Sequence, residues 1–170
     1  VRTGFSGDMF MAPRIDNISS VQACLTGLIE ANPSDGISVA VLFDHEEIGS
    51  RSKNGANGNL LSYTLERICN ALNISRENFL QSLVHSYYLS LDVAHAIHPA
   101  HPEKSDITSA MPLNRGFAIK ASAKHAYCSD DDMTGVILQL AARHHIACQQ
   151  NHMRSDIPGG STVGPMVAAN

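Results

Sequence analysis

Four carboxylates stand where the chain changes direction: Asp16, Glu46, Glu47 and Asp92. Glu46 and Glu47 are adjacent and follow the apolar run Val39-Ala-Val-Leu-Phe43 through Asp44 and His45. Two neighbouring carboxylates allow a division of labour, one binding a metal while the other moves protons. The same pair also fits a solvated turn after a strand, because Glu is mostly exposed. Asp16 precedes a helical pattern and Asp92 closes a second apolar run, so a helix cap and a strand-end turn are their ordinary readings. Divalent cations need oxygen and nitrogen ligands that converge from separate segments. Strand ends in an α/β sheet supply such convergence. Spacing alone leaves both readings open.

The elements that must position these groups follow from periodicity. Val21, Cys24, Leu25, Leu28 and Ile29 predict a helix over 20–31, capped by Asp16, Asn17 or Ser19. Asn32-Pro-Ser-Asp-Gly36 breaks the chain, and the β-branched run 37–43 predicts a buried strand. The Ser-, Gly- and Asn-rich stretch 49–59 predicts a loop shaping whatever lies beside it. Helices are expected over 60–72 and from a Ser75 cap onward, and a strand over 84–92. Loop follows to Asn114, then a short strand over 116–122. Ser129 with Asp132 forms a capping-box-like start to a helix over 133–144. A short strand over 146–149 and a Gly-rich loop over 155–164 complete the chain. Alternating strands and helices make this α/β, with no internal repeat and no linker dividing residues 1–170 into two domains.

Composition narrows the function. The 170 residues suffice for one domain with a core, and 44% hydrophobic with 16% charged residues indicates a folded chain. A net charge of −4 without a basic block argues against a nucleic-acid partner. No apolar run reaches the roughly 18 residues that a membrane-spanning helix needs. Cys24, Cys69, Cys128 and Cys148 form no Cys-x-x-Cys pair, the pattern of buried free thiols in a reducing, cytoplasmic compartment.

Four segments together carry a resemblance: Pro13-Arg-Ile-Asp-Asn17, Phe43-Asp-His-Glu-Glu-Ile-Gly-Ser50, Asp92-Val-Ala-His-Ala-Ile-His-Pro99 and Arg154-Ser-Asp-Ile-Pro-Gly-Gly-Ser-Thr-Val-Gly-Pro165. In this order the chain resembles the aspartyl aminopeptidases, a family of dinuclear zinc metallopeptidases. The resemblance implies a three-layer catalytic domain, its mixed and mainly parallel sheet flanked by helices. It implies removal of N-terminal Asp and Glu from peptides through a metal-activated water. Asp16 would bridge two zinc ions, Glu47 and Asp92 would each be a terminal ligand, and Glu46 would be the general base. Lys120, in Ala118-Ile-Lys-Ala-Ser122, matches a family position associated with the acidic side chain of the substrate. Tyr127 and Lys124 lie in the same matching segment, and His95 and His98 are placed near the site without being ligands. Ser161 and Thr162 would offer donors from the Gly-rich loop.

The departures are also informative. His45 stands where the family commonly has Asn. The resemblance implies one His ligand from an upstream segment and one from near the C-terminus, and neither lies in this chain. It also implies a large dimerisation domain, which the chain lacks. The expectation is therefore the central and C-terminal part of a catalytic domain, truncated at both ends, whose complete parent is a homo-oligomer and whose isolated form is inactive. Two alternatives remain: a related glutamyl-type dinuclear aminopeptidase, or a non-catalytic assembly subunit or relic.

Overall fold

The computed structural model describes residues 1–33, 35–157 and 162–169. The chain divides into two compact units, Val1–Leu42 with Leu91–Val93, and Phe43–Ser90 with Ala94–Asn170. In the first unit, β1 (Arg2–Thr3) and β2 (Met9–Phe10) pair antiparallel with Arg2 opposite Phe10. Helix α1 spans Ile15–Glu30, but Asp16 and Asn17 carry non-helical dihedrals, so the regular turns begin beyond them. No side chain caps this helix, and Ser19, one of the candidate caps, donates instead to the Ile15 carbonyl at 2.8 Å. The helix stops ahead of Pro33, which has no N–H with which to continue it.

The second unit holds α2 (Leu60–Ala71), α3 (Arg76–Val84), β3 (Phe117–Ala121), α4 (Asp131–Arg143), β4 (Cys148–His152) and α5 (Gly164–Ala168). Strands β3 and β4 pair in parallel, Phe117 opposite Cys148 and Lys120 opposite Asn151, with α4 as the crossover between them. Parallel neighbours require such a crossover because a tight turn cannot reverse the chain twice. Gly116 opens β3 at φ 93°, and a Cβ there would lie 1.9 Å from the Ala147 carbonyl oxygen. Only glycine permits that approach, through which the Phe117 N–H donates to Ala147. The buried hydrophobic residues Ala56, Phe79, Met111, Tyr127 and Ala141 all belong to this unit.

The α/β class is as the periodicity predicts, and the helices agree within a few residues. Three local expectations differ. Segment 37–43 forms no strand, and neither does 85–92, where α3 also runs on through Val84. Both lack a ladder partner among the described residues, and composition favours extended backbone without supplying a partner. Helix α4 is capped by Asp130, whose carboxylate accepts from the Met133 N–H at 2.7 Å. The Ser129 hydroxyl instead donates to the Lys120 carbonyl at 2.5 Å.

Candidate active site

The paired glutamates sit together on a single 3-10 turn, Glu46–Ile48. The turn is bracketed by left-handed residues, His45 at φ 62° before it, then Gly49 at φ 98° and Ser50 at φ 58° after it. Its close is a bond from the Gly49 N–H to the Glu46 carbonyl at 2.9 Å. Glu46 is half-buried and Glu47 exposed, so the two carboxylates meet different surroundings although they are neighbours in sequence. The left-handed geometry also explains His45: Asn, Asp and His are the side chains best tolerated there. His45 thus serves the turn, with its Nδ1 2.7 Å from the Ser52 hydroxyl and its Nε2 3.6 Å from the Asp44 carboxylate.

The loop that follows folds back and fixes the turn. The Ser50 N–H donates to the His45 carbonyl at 2.8 Å, and the Ser50 side chain is the most completely buried among the described residues. The Asn57 N–H returns to the Ser50 carbonyl and the Asp44 N–H reaches the Asn54 carbonyl, each at 3.3 Å. The Gly55 N–H meets the Ser52 hydroxyl at 3.0 Å. The glycine- and asparagine-rich composition of 49–59 is thereby accounted for: it allows a compact loop to close over a carboxylate turn.

Asp16 and Asp92 belong to the first unit, Glu46 and Glu47 to the second. Both aspartates are exposed, and Asp92 accepts from the Val93 N–H at 2.7 Å. The donor set is chemically suited to a divalent cation, since Asp16, Glu47 and Asp92 all offer hard carboxylate oxygens. Neither unit by itself gathers three His, Cys, Asp or Glu side chains into a metal cluster among the described residues. A tetrahedral zinc site takes four donors, and neither unit closes one among the described residues.

Lys120 and Tyr127 are brought together in the second unit, the ammonium 4.8 Å from the ring centroid. Lys124 is exposed beyond the end of β3, its N–H bonded to the Ser122 hydroxyl at 3.2 Å. His98 accepts the Ala100 N–H on Nδ1 at 3.1 Å, which leaves Nε2 to carry the proton of the neutral ring. Its ring lies 5.3 Å from that of His101. Ser161 lies outside the described residues, while Thr162 is buried and accepts from the Gly164 N–H at 3.3 Å.

Two polar groups were not singled out by residue type. Arg154 makes a forked pair with Asp156, at 2.9 and 2.5 Å, and also donates to the Glu103 carbonyl. The hydrogen bonds of the pair raise the arginine pKa and lower that of the aspartate. Asp106 accepts from the Thr108 hydroxyl and N–H and from Ser109, and these bonds hold its carboxyl down at about 2. Ser109 in turn bonds the His152 backbone, tying the polar loop to β4. The signal for both was local, an Arg-x-Asp spacing and an Asp-x-Thr-Ser turn.

Comparison with known proteins finds relatives along almost the whole chain. The chain is 41% identical over 163 residues to a probable M18 family aminopeptidase 2 of Clostridium novyi, covering 96% of this chain and 38% of that protein. The mApe1 dodecamer of S. cerevisiae matches with a TM-score of 0.78 and 27% identity, over 99% of this chain and 38% of that one. An M18-family aminopeptidase from Thermotoga maritima shares the fold with a TM-score of 0.85 at 23% identity, over 99% and 39%. The chain thus spans less than half the length of the relatives it matches. The family model for the aminopeptidase I zinc metalloproteases covers residues 1–170, and the chain belongs to that family, M18.

Proposed function

We propose that the complete protein carrying this chain is an aminopeptidase that removes N-terminal Asp and Glu from peptides, and that the chain alone is inactive. The observation that carries this reading is the Glu46–Glu47 turn, which offers two carboxylates of unequal burial on one rigid support. Asp16, Glu47 and Asp92 would hold zinc, two ions in the complete site. When bound, zinc lowers the pKa of a water towards neutrality and polarises the scissile carbonyl. Glu46 takes a proton from the attacking water on its carboxylate and returns it to the leaving amine. Lys120 offers a positive charge to the acidic side chain of the substrate, with Tyr127 and His98 near it. The S. cerevisiae dodecamer supports a homo-oligomeric parent, and the four free cysteines fit a reducing cytoplasm.

The test is a pair of substitutions in the complete protein. Glu46→Gln should lower kcat by about 10²–10⁴ with metal content unchanged. Glu47→Gln should instead lose metal. Asp-, Glu-, Leu- and Ala-linked chromogenic substrates report the specificity, and a preference for Leu or Ala would sink the acidic assignment. Full turnover by Glu46→Gln would sink the assignment of the base.

A further inference from the structure

We propose that Asn57 is a site of spontaneous deamidation, and that the fold of its loop protects the neighbouring Asn54 from the same reaction.

The reaction needs an asparagine followed by a residue whose backbone nitrogen is unshielded. Loop 49–59 holds two such pairs, Asn54-Gly55 and Asn57-Gly58. The glycine nitrogen attacks the side-chain amide carbon of the asparagine. The proton of that N–H leaves with the side-chain nitrogen as ammonia, and a succinimide ring closes. Water then opens the ring at either carbonyl, giving aspartate or isoaspartate. No enzyme, metal or oxidant takes part. Both asparagines are exposed, so water reaches both, and the difference lies in the glycine that must attack.

A nitrogen whose N–H is donated has to be released before it can attack. Gly55 is buried, and its N–H is shared between the Ser52 hydroxyl at 3.0 Å and the Ser52 carbonyl at 3.2 Å. A Cβ on Gly55 would lie 2.2 Å from the Ser50 carbonyl oxygen, so this backbone has little room to turn towards the Asn54 side chain. The Asn54 carbonyl is itself held by the Asp44 N–H at 3.3 Å. Gly58 is half-buried, and its N–H donates to one acceptor, the Gly55 carbonyl at 3.0 Å. One hydrogen bond more or less changes a local opening equilibrium by about twofold to tenfold.

The reactive pair comes with the loop. A Cβ on residue 58 would lie 2.9 Å from the Ser52 carbonyl oxygen and 3.0 Å from that of Lys53, so the close approach calls for glycine there. Conversion of Asn57 then acts on the same loop. Aspartate adds a negative charge, and isoaspartate adds a methylene to the main chain directly after the Asn57 N–H that holds the Ser50 carbonyl.

The complete protein is aged, native, in mildly alkaline buffer, and peptide mapping by mass spectrometry follows the amide-to-acid conversion at each asparagine. Asn57 should convert faster than Asn54 by about twofold to tenfold. In urea, where neither glycine N–H is held, the two rates should agree within about twofold. Ser52→Ala removes one of the two acceptors of the Gly55 N–H and should speed Asn54 while leaving Asn57 unchanged. Ageing should also lower the thermal unfolding midpoint, and Asn57→Gln, whose longer side chain closes the ring far more slowly, should suppress that fall. Equal native rates, or a faster Asn54, overturn the proposal. A rate ratio that persists in urea, or an Asn54 rate indifferent to Ser52→Ala, overturns protection by the fold.

Discussion

Replacing Gly55 by alanine tests whether the loop after Ser50 fixes the carboxylate turn. A Cβ on Gly55 would lie 2.2 Å from the Ser50 carbonyl oxygen, 2.6 Å from its carbonyl carbon and 2.9 Å from its Cα. All three are backbone atoms, so no side chain can swing aside. Ser50 is buried at 1% exposure and bonded to the His45 carbonyl, so it cannot retreat without moving the turn that carries Glu46. Over-packing of this kind costs about 2–3 kcal/mol. For a chain of this length that lowers Tm by about 4–12 °C, since each kcal/mol is worth about 2–4 °C. Gly135→Ala supplies the opposite sign as a control. It sits inside α4 with nothing within 4 Å of its added Cβ, so it should stabilise by about 0.5–1 kcal/mol. Thermal and urea unfolding of the two variants read the contrast directly. A Gly55→Ala protein within about 0.5 kcal/mol of the parent, the usual effect of an innocuous surface change, would refute the packing argument.

Three further outcomes are expected. Asp130→Ala removes the carboxylate that caps α4 and should cost about 1 kcal/mol, read from the urea midpoint. His45→Asn keeps a side chain tolerant of the left-handed conformation and should change stability by less than about 0.5 kcal/mol, whereas a large loss would give the His45 ring a role beyond the turn. Asp106 has its folded pKa depressed to about 2, against about 3.9 for an unperturbed Asp. Its stabilisation is therefore fully present above the unfolded value and is lost as pH falls through the folded one. Stability curves of the parent and Asp106→Asn should converge between about pH 4 and pH 2, and curves that stay parallel across that window would remove Asp106 from the account.

Helices were legible because their signals are local. The apolar spacing of α2 and the Ser75 hydroxyl capping α3 at 3.2 Å each need only a few consecutive residues. The cap of α4 is Asp130, one residue after Ser129, whose hydroxyl meets Lys120, nine residues earlier. Segments 37–43 and 85–92 have strand composition but no partner within the described residues, and a strand is defined by its partner. For the site, the glutamate pair and its glycine-rich loop could be read as a unit because the backbone bonds that close the turn and fold the loop onto it join residues 44 to 58. The Lys120–Tyr127 stack was visible only as a matching segment, whereas the Arg154–Asp156 fork carries a local signal in its Arg-x-Asp spacing.

This locality separates two tasks that the candidate site must combine. The turn bearing Glu46 is built by hydrogen bonds within its own loop, so its backbone geometry is set before any metal arrives. Asp16 and Asp92 belong to a different compact unit from Glu47, and neither unit closes a cluster of three donors among the described residues. On the proposed function, Asp16, Glu47 and Asp92 would hold the cation, while Glu46 is carried by a turn that its own loop closes. Substitutions within 50–58 should then act on kcat with metal content preserved, and substitutions at Asp16 or Asp92 should act on metal content first. If both classes removed metal in equal measure, the loop would be part of the cation site, and the distinction between Glu46 as base and Glu47 as ligand would lose its structural support.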